Sequence, residues 1–459
     1  MIDSALRWSL LAICSVAVVA PASALPAAAA DETGDRLRLI VETDAGGDPD
    51  DEQSLVRFLL YANEWDVEGI IANRREVVRP ENHNPRDSGF KIVSGFIDAY
   101  EAVYARLREH DERYPEPATL RQRTVAGYDD TDEAVSLVIE TVDRDDPRPV
   151  WFLNWGTGHG AAESNLRRAL DRVLAERGQE GYAKFKQKLL LCSDDQFGDH
   201  TTRIEPLWRL WIYPFYPNMD GGRWYHRFGP LTATAGGFDL ERDVRTNHGP
   251  LGALYPTNTT HKQKEGDSFT FLYLIPTGMN DPWQPTWGSW AGRFGVRSDW
   301  RPQNPNYYWA GERDAWHGTT NRDNTLRRFA ADVQNDFRAR MDWCVRPLAG
   351  ANHPPRVVLN GDASQQVLTI DAAPGAAVQL SAAESSDPDG DELDYEWFLY
   401  PEAGTYRGPA ELNAASPETR FVVPPDAAGK TMHLIVAVRD RGDPPLVRYR
   451  RAVIRGVRR

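Results

Sequence analysis

The stretch Glu42-Thr43-Asp44-Ala45-Gly46-Gly47-Asp48-Pro49-Asp50-Asp51-Glu52 carries six carboxylates in eleven residues. Before it, Leu37, Leu39, Ile40 and Val41 form a short apolar run that suits a buried strand. After it, Leu55, Phe58, Leu59 and Ala62 keep the i, i+3, i+4, i+7 spacing of one helix face. Two glycines permit a tight turn, so the carboxylates beside them can converge on one point. Oxygen-only convergence suits a hard divalent cation, Ca²⁺ above all. Helix capping is the competing reading. Asp48 could cap, Pro49 could start the helix, and Asp50, Asp51 and Glu52 could face the positive dipole end. Capping does not account for Asp44 at the end of the strand.

Outward from this turn the pattern repeats. Asp66–Ala72 reads as a second strand, which makes residues 37–72 a parallel βαβ unit. Helices are expected near 88–110 and 131–142, then a strand at 149–154 ending in Trp155-Gly156-Thr157-Gly158-His159-Gly160. A helix over 161–177 and a strand at 188–193 follow, the latter ending in Asp194-Asp195-Gln196-Phe197-Gly198-Asp199-His200. Strand, polar loop and helix thus recur three times. That predicts an α/β domain with a mainly parallel sheet, whose ligands bind at the carboxyl ends of the strands. Residues 208–260 lose periodicity, and a final helix is expected over 324–343 with Leu326, Phe329, Val333 and Phe337 on one face.

Residues 346–355 (RPLAGANHPP) read as a linker. Beyond them, short alternating runs separated by turn clusters predict a small all-β sandwich over 356–459. The domain over 36–345 is preceded by a signal peptide within residues 1–30. Arg7 is its basic region, Trp8–Ala20 its apolar core, and cleavage falls after Ala24 or Ala30. The mature chain is therefore expected to be periplasmic or secreted, with no membrane segment after cleavage. Of the three cysteines only Cys192 and Cys344 then remain. A net charge of −14 argues against a nucleic-acid polymer as partner. Fifteen tryptophans, many beside Gly, Pro or polar residues, suggest rings that stack on a sugar or pack irregular segments.

The turn Glu42–Asp51 resembles the Asp-Thr-Asp-x-Gly-x-Asp-Asp signature of calcium-dependent nucleoside hydrolases. The resemblance implies Asp44 as calcium ligand and general base, Asp51 as a second ligand, and Asp50 or Asp48 near sugar hydroxyls. The strand end at Asn154 stands where the family has a calcium-binding turn. Asn280-Asp281-Pro282 resembles the family's His-Asp-Pro turn, which implies Asp281 as the third ligand. Asn280 takes the place of the histidine that helps the nucleobase leave. Over nearly the whole mature chain, HGPLGALYP, KEGDSFTFLYLIPTGMNDP, WGSWAGRF, NHPP and SSDPDGDELDYEWFLYPEAGTY resemble an exported bacterial family. Its members join a nucleoside-hydrolase-like domain to an immunoglobulin-like C-terminal domain and are described as cellulose-binding proteins.

Taken together, these features imply a calcium-dependent hydrolase of glycosyl bonds acting on a plant-derived or other extracellular glycoside. The alternative is a non-catalytic cellulose- or carbohydrate-binding protein on the same scaffold. Asp48, Asp50, Asn154 and Asn280 would grip hydroxyls, and Trp283, Trp287 and Trp290 would line the mouth. His159 or His200 could supply a leaving-group acid, Asp194 and Asp195 could stand behind the site, and Arg293 could meet an acidic substrate. In the C-terminal domain Asp387, Asp389 and Asp391 alternate, and Asp440 could join them around a second Ca²⁺. An ordinary Asp-Gly turn is the competing reading there.

Overall fold

A computed structural model describes residues 36–457 except 48, 79–81, 130, 157–163, 194–207, 212–227, 258–262, 297–306 and 413–414. The expected signal peptide, Asp48, His159, Asp194, Asp195 and His200 therefore lie outside the described residues. Eight strands form the first sheet: β1 (Leu37–Thr43), β2 (Trp65–Ala72), β3 (Thr124–Ala126), β4 (Val150–Asn154), β5 (Leu189–Ser193), β6 (Trp208–Trp211), β7 (Gly295–Val296) and β8 (Tyr307–Trp309). Their order is β3-β2-β1-β4-β5-β6-β8-β7, with every neighbouring pair parallel except β7 and β8. The helices α1 (Asp50–Leu60), α2 (Gly89–His110), α3 (Pro117–Gln122), α4 (Glu133–Asp143) and α5 (Asn165–Gln187) alternate with the first five strands. α5 is broken at Gly178, whose φ is +63°.

Both faces of this sheet are covered, which is why its strands read as apolar runs rather than alternations. Leu39, Val41, Trp151, Leu153, Leu190 and Cys192 enter one core, shared with α1 and α2. Ile40, Val150, Phe152, Leu189 and Leu191 enter the other, shared with α4 and α5. Cys192 and Cys344 are both buried and unbridged. The final helical stretch is two helices, Asn324–Arg327 and Ala330–Trp343. No helix among the described residues is long and apolar enough to cross a membrane.

The hairpin of β9 (Asp314–Trp316) and β10 (Thr319–Asn321) precedes the helices Asn324–Arg327 and Ala330–Trp343, and after them the chain enters its all-β region. Its strands are β11 (Leu368–Ala372), β12 (Ala377–Ser381), β13 (Leu393–Leu399), β14 (Glu418–Val422), β15 (Thr431–Asp440) and β16 (Val447–Gly456). They form a four-stranded sheet, β11-β16-β15-β13, and a pair, β12-β14, around one core. The run Val357–Leu359, which reads as a strand in sequence, contributes only a bridge at Leu359.

Residues 36–459 make one compact unit. The reason lies in β15 and β16, which are apolar on both faces. Leu434, Val436, Val438, Ala452 and Ile454 fill the sandwich. Ile435, Ala437, Val447 and Tyr449 fill the core that also holds Phe271, Trp290 and Phe337. The joining segment 346–355 is bonded as well. Trp343 Nε1 donates to the Asn352 carbonyl at 2.9 Å, and His110 Nδ1 lies 2.8 Å from His353 Nε2.

Candidate functional site

The acid-rich turn sits at the carboxyl ends of β1, β2 and β4. Gly47 N–H donates to the Asp44 carbonyl at 3.2 Å, and Gly46 takes a φ of +103° that favours glycine. Asp51 Oδ1 accepts from the Thr43 hydroxyl and, at 3.0 Å, from Asp44 N–H, so the first turn of α1 is tied back to the end of β1. Asp50, Asp51 and Glu52 are all buried. Glu52 turns away toward Asn82 and Asn84, whose amides donate to its carboxylate.

Across from α1, the segment 263–268 is fastened to the same helix. Gln53 Oε1 accepts from Lys264 N–H at 2.7 Å and Glu265 N–H at 3.0 Å, and Ser268 Oγ lies 3.1 Å from Ser54 Oγ. Arg57 and Glu265, both fully buried, form an ion pair. Glu265 also accepts from Tyr255, Gln263 and Ser268. That network fixes the short 3₁₀ turn Gly266–Ser268 and delivers Asp267 to the acid-rich turn. Ligand atoms of Asp50, Asp51 and Asp267 lie within 4.8 Å of one another, the one such group among the described residues.

Electrostatics at this point is governed by burial and by neighbouring carboxylates. Burial first, and then the charges of Asp44 and Asp267, push the Asp51 carboxyl well above its ordinary range. Two cations stand at the rim. Arg74 Nη2 meets Asp44 Oδ2 at 2.6 Å while its Nε donates to the Asp44 carbonyl at 2.9 Å, and Lys264 Nζ lies 3.4 Å from Asp50 Oδ2. Among the described residues, four carboxylates face two side-chain cations here. A buried all-oxygen set with excess negative charge fits a hard divalent ion. β4 closes the back of the site. A Cβ at Gly156 would lie 2.6 Å from Asp44 Oδ1, so only glycine lets this loop approach. Asn73 Nδ2 donates to the Gly156 carbonyl at 2.5 Å, and Asn73 and Asn165 both donate to Glu42. Glu42 is thus held in an amide cradle. Asn154, at the end of β4 and paired in register with Glu42, is buried beside it.

Comparison with known proteins places this geometry. A family model described as "Cellulose-binding Sde182, nucleoside hydrolase-like domain" matches residues 38–294, and one described as "Cellulose-binding protein Sde0182, C-terminal domain" matches 377–456. The chain belongs to the Sde182 family. A solved structure of a nucleoside hydrolase-related hypothetical protein from Saccharophagus degradans, associated with carbohydrate metabolism, is similar at 33% identity and a TM-score of 0.72. The match covers 92% of this chain and 100% of that one. No curated protein matches the sequence.

In this Sde182-family chain the group is Asp50, Asp51 and Asp267; of the expected ligands Asp44, Asp51 and Asp281, only Asp51 is part of it. The Asn280-Asp281-Pro282 turn is docked on β16 instead. Tyr449 N–H donates to the Thr277 carbonyl at 2.9 Å, and Arg451 Nε donates to the Met279 carbonyl. Asp281 accepts from Trp283 N–H, and burial raises its carboxyl while the charge of Arg451 lowers it. Asn280 does not face the acidic group. Its amide donates to the Tyr273 carbonyl at 2.8 Å and its oxygen accepts from Thr277 Oγ1 at 2.9 Å. A sequence signal for Asp267 did exist: an acidic residue and a serine stand directly before the apolar helical run Phe269–Leu272.

The tryptophans separate by burial. Trp283 is 36% exposed and stands 5.8 Å from Trp151. Trp287 packs edge-on against His433 at 4.9 Å, and its carbonyl accepts from Arg451 at 2.8 Å. Trp290 is fully buried, with the Arg448 guanidinium 5.8 Å over its ring. It belongs to the core rather than to a binding platform. Trp290→Ala is expected to lower the unfolding free energy by about 3–5 kcal/mol in a denaturant titration. Arg293 is likewise structural, held by Asp314 at 2.8 Å and Glu312 at 2.9 Å.

Proposed function

We propose that this protein is an exported, calcium-dependent hydrolase of glycosyl bonds whose substrate is a plant-derived or other extracellular glycoside. The observation that carries the reading is the convergence of Asp50, Asp51 and Asp267, buried together at the carboxyl ends of the parallel strands. Those three residues would hold the ion. When bound, calcium supplies Lewis acidity toward water and anchorage for sugar hydroxyls. Asp44, oriented by Arg74, accepts the proton of the attacking water as the bond from the anomeric carbon to the leaving group breaks, and the leaving group takes its proton from solvent. The surrounding carboxylates favour the positive charge that develops at the anomeric carbon. Gly156 and Trp155 close the site on one side, with the indole fixed by a 2.7 Å bond from its Nε1 to Thr270 Oγ1.

A second reading, carbohydrate binding without turnover, draws support from Trp283, an indole left partly in solvent on an aromatic base. Calcium-dependent reducing-sugar release across nucleosides, aryl glycosides and plant polysaccharides separates the two. Hydrolysis predicts release that disappears with EDTA and falls at least about 100-fold in Asp44→Asn, with a wild-type melting curve. Absence of release on the whole panel, together with pull-down on cellulose, overturns it. Trp283→Ala is expected to weaken the cellulose pull-down several-fold. Because the ring is partly exposed, its stability should change by only about 1 kcal/mol or less.

A further inference from the structure

We propose that His110 and His353 share a single proton and act as a pH-dependent clamp, which fastens the joining segment 346–355 between α2 and the sandwich. His110 is the last residue of α2, and His353 lies in the joining segment, 8% exposed. Three contacts run through the two rings in a row. His110 Nε2 lies 2.9 Å from the Arg346 carbonyl oxygen, and His110 Nδ1 lies 2.8 Å from His353 Nε2. His353 Nδ1 then lies 3.0 Å from Asp389 Oδ1. Both rings stack on Trp343, with centroids 5.2 Å and 5.1 Å from the indole and planes tilted by 7° and 26°.

The count of hydrogens decides the protonation state. Each contact needs one hydrogen between its two heavy atoms, and neither outer partner, a carbonyl or an ionised carboxylate, brings one. Asp389 Oδ2 also accepts from His353 N–H at 2.7 Å, which favours the ionised form. Three contacts therefore need three ring N–H groups, whereas two neutral imidazoles own two. One extra proton satisfies them all: His353 donates at both nitrogens, while His110 accepts at Nδ1 and donates at Nε2. Burial lowers the His110 pKa, aided by the charge of His353 and opposed by the bond to the Arg346 carbonyl. The shared proton thus belongs on His353, beside Asp389.

Without that proton, one of the three contacts sets lone pair against lone pair. With a second one, two N–H groups point at each other across 2.8 Å. The clamp is closed only between the two protonations, which titrate as a coupled pair. Other charges near the pair are engaged. Arg106 and Glu109 on α2 meet at 2.8 Å, and Asp342, in the helix Ala330–Trp343, is held by Arg346 at 3.1 Å and His248 at 3.2 Å. Asp389 serves this row of contacts rather than an ion. No three of Asp387, Asp389, Asp391 and Asp440 bring ligand oxygens within 4.8 Å of one another, as Asp50, Asp51 and Asp267 do. Because histidine titrates near neutral pH, opening frees the passage from helix to sandwich as pH rises through that range.

Hydrogen exchange of the whole chain tests the clamp, read by mass spectrometry over 346–355 from pH 4.5 to 9 and corrected for the intrinsic exchange rate. Protection in wild type is expected to be bell-shaped, falling about 10-fold between pH 6 and pH 8.5. His110→Phe keeps a ring on Trp343 but has no ring nitrogen, and its profile should be flat. Asp389→Asn keeps an acceptor and loses the charge, so its alkaline limb should move down by about one pH unit or more. At pH 6, ¹⁵N-histidine NMR should show one ring with both nitrogens protonated whose signals shift in His110→Phe. Wild-type protection that does not vary with pH, or that keeps the same profile in His110→Phe, overturns the proposal. So does a spectrum in which both rings are neutral at pH 6.

Discussion

Asp267→Asn is expected to raise the melting temperature of the cation-free protein and to abolish both the stabilising effect of calcium and calcium-dependent turnover. The two signs have one cause. Asp267 adds to the charge that pushes the Asp51 carboxyl up, so removing it relieves repulsion in a buried group. The same oxygen is one of three that converge, so its loss opens the cation site. At a calcium concentration of about 100 times the dissociation constant, binding stabilises the wild type by about 2.7 kcal/mol. The variant forfeits that gain, and calcium-dependent turnover is lost with the ion. Scanning calorimetry with and without EDTA reads both effects. A variant that melts like wild type in both conditions removes Asp267 from the site.

The pH dependence follows with the same sign. The Asp51 carboxyl is raised in the fold above its unfolded value of about 3.9. Without cation, the fold binds that proton more tightly than the unfolded chain. Stability therefore begins to fall as pH passes the unfolded pKa and continues to fall through the raised one. Calcium needs the ionised carboxylates, so its stabilisation grows across that window. The calcium-induced rise in melting temperature should be larger at pH 8 than at pH 5, and absent at both in Asp267→Asn.

Gly278→Ala is expected to cost more than about 4 kcal/mol, or to split unfolding into two transitions. Gly278 has a φ of +83°, and a Cβ there would lie 1.9 Å from the Tyr449 carbonyl oxygen. Backbone stands on both sides of this contact, so no side chain can swing away. Any shift breaks the Tyr449 to Thr277 bond and loosens Arg451, which is buried and bonded to the Met279 and Trp287 carbonyls. Gly375→Ala is the control. Its φ is +80° but nothing lies within 4 Å, so only about 1 kcal/mol of backbone strain is expected. Denaturant curves of the two variants compare contact with strain. Equal curves would mean that the sandwich is not held at Thr277–Met279.

Periodicity carries much of the architecture. The apolar run at 37–41 and the helical spacing that follows it announce a parallel βαβ unit, and β1, α1 and β2 occupy that span. The runs at 149–154 and 188–193 become β4 and β5 within a residue. Trp290 shows where local reading fails. Its neighbours are glycine, serine and alanine, the composition of a loop, yet it is fully buried in the core to which β15 and β16 contribute. Asp281 fails for a related reason. Its dipeptide with Pro282 fits a motif, but the turn is claimed by β16 through Tyr449 and Arg451.

From sequence alone came the parallel α/β sheet, the all-β region after residue 356 and an acid-rich turn able to gather Asp44, Asp50 and Asp51. Each is written in residues near one another in the chain, where periodicity and turn chemistry act. Tertiary structure alone decided that Asp267 completes the group, that Trp283 rather than Trp290 meets solvent, and that β15 and β16 serve two cores. Those outcomes depend on pairings such as Arg57 with Glu265, more than two hundred residues apart, and on which face of a doubly apolar strand meets which partner. No local pattern encodes such a pairing, because its free energy exists only once the partner surface has folded into place.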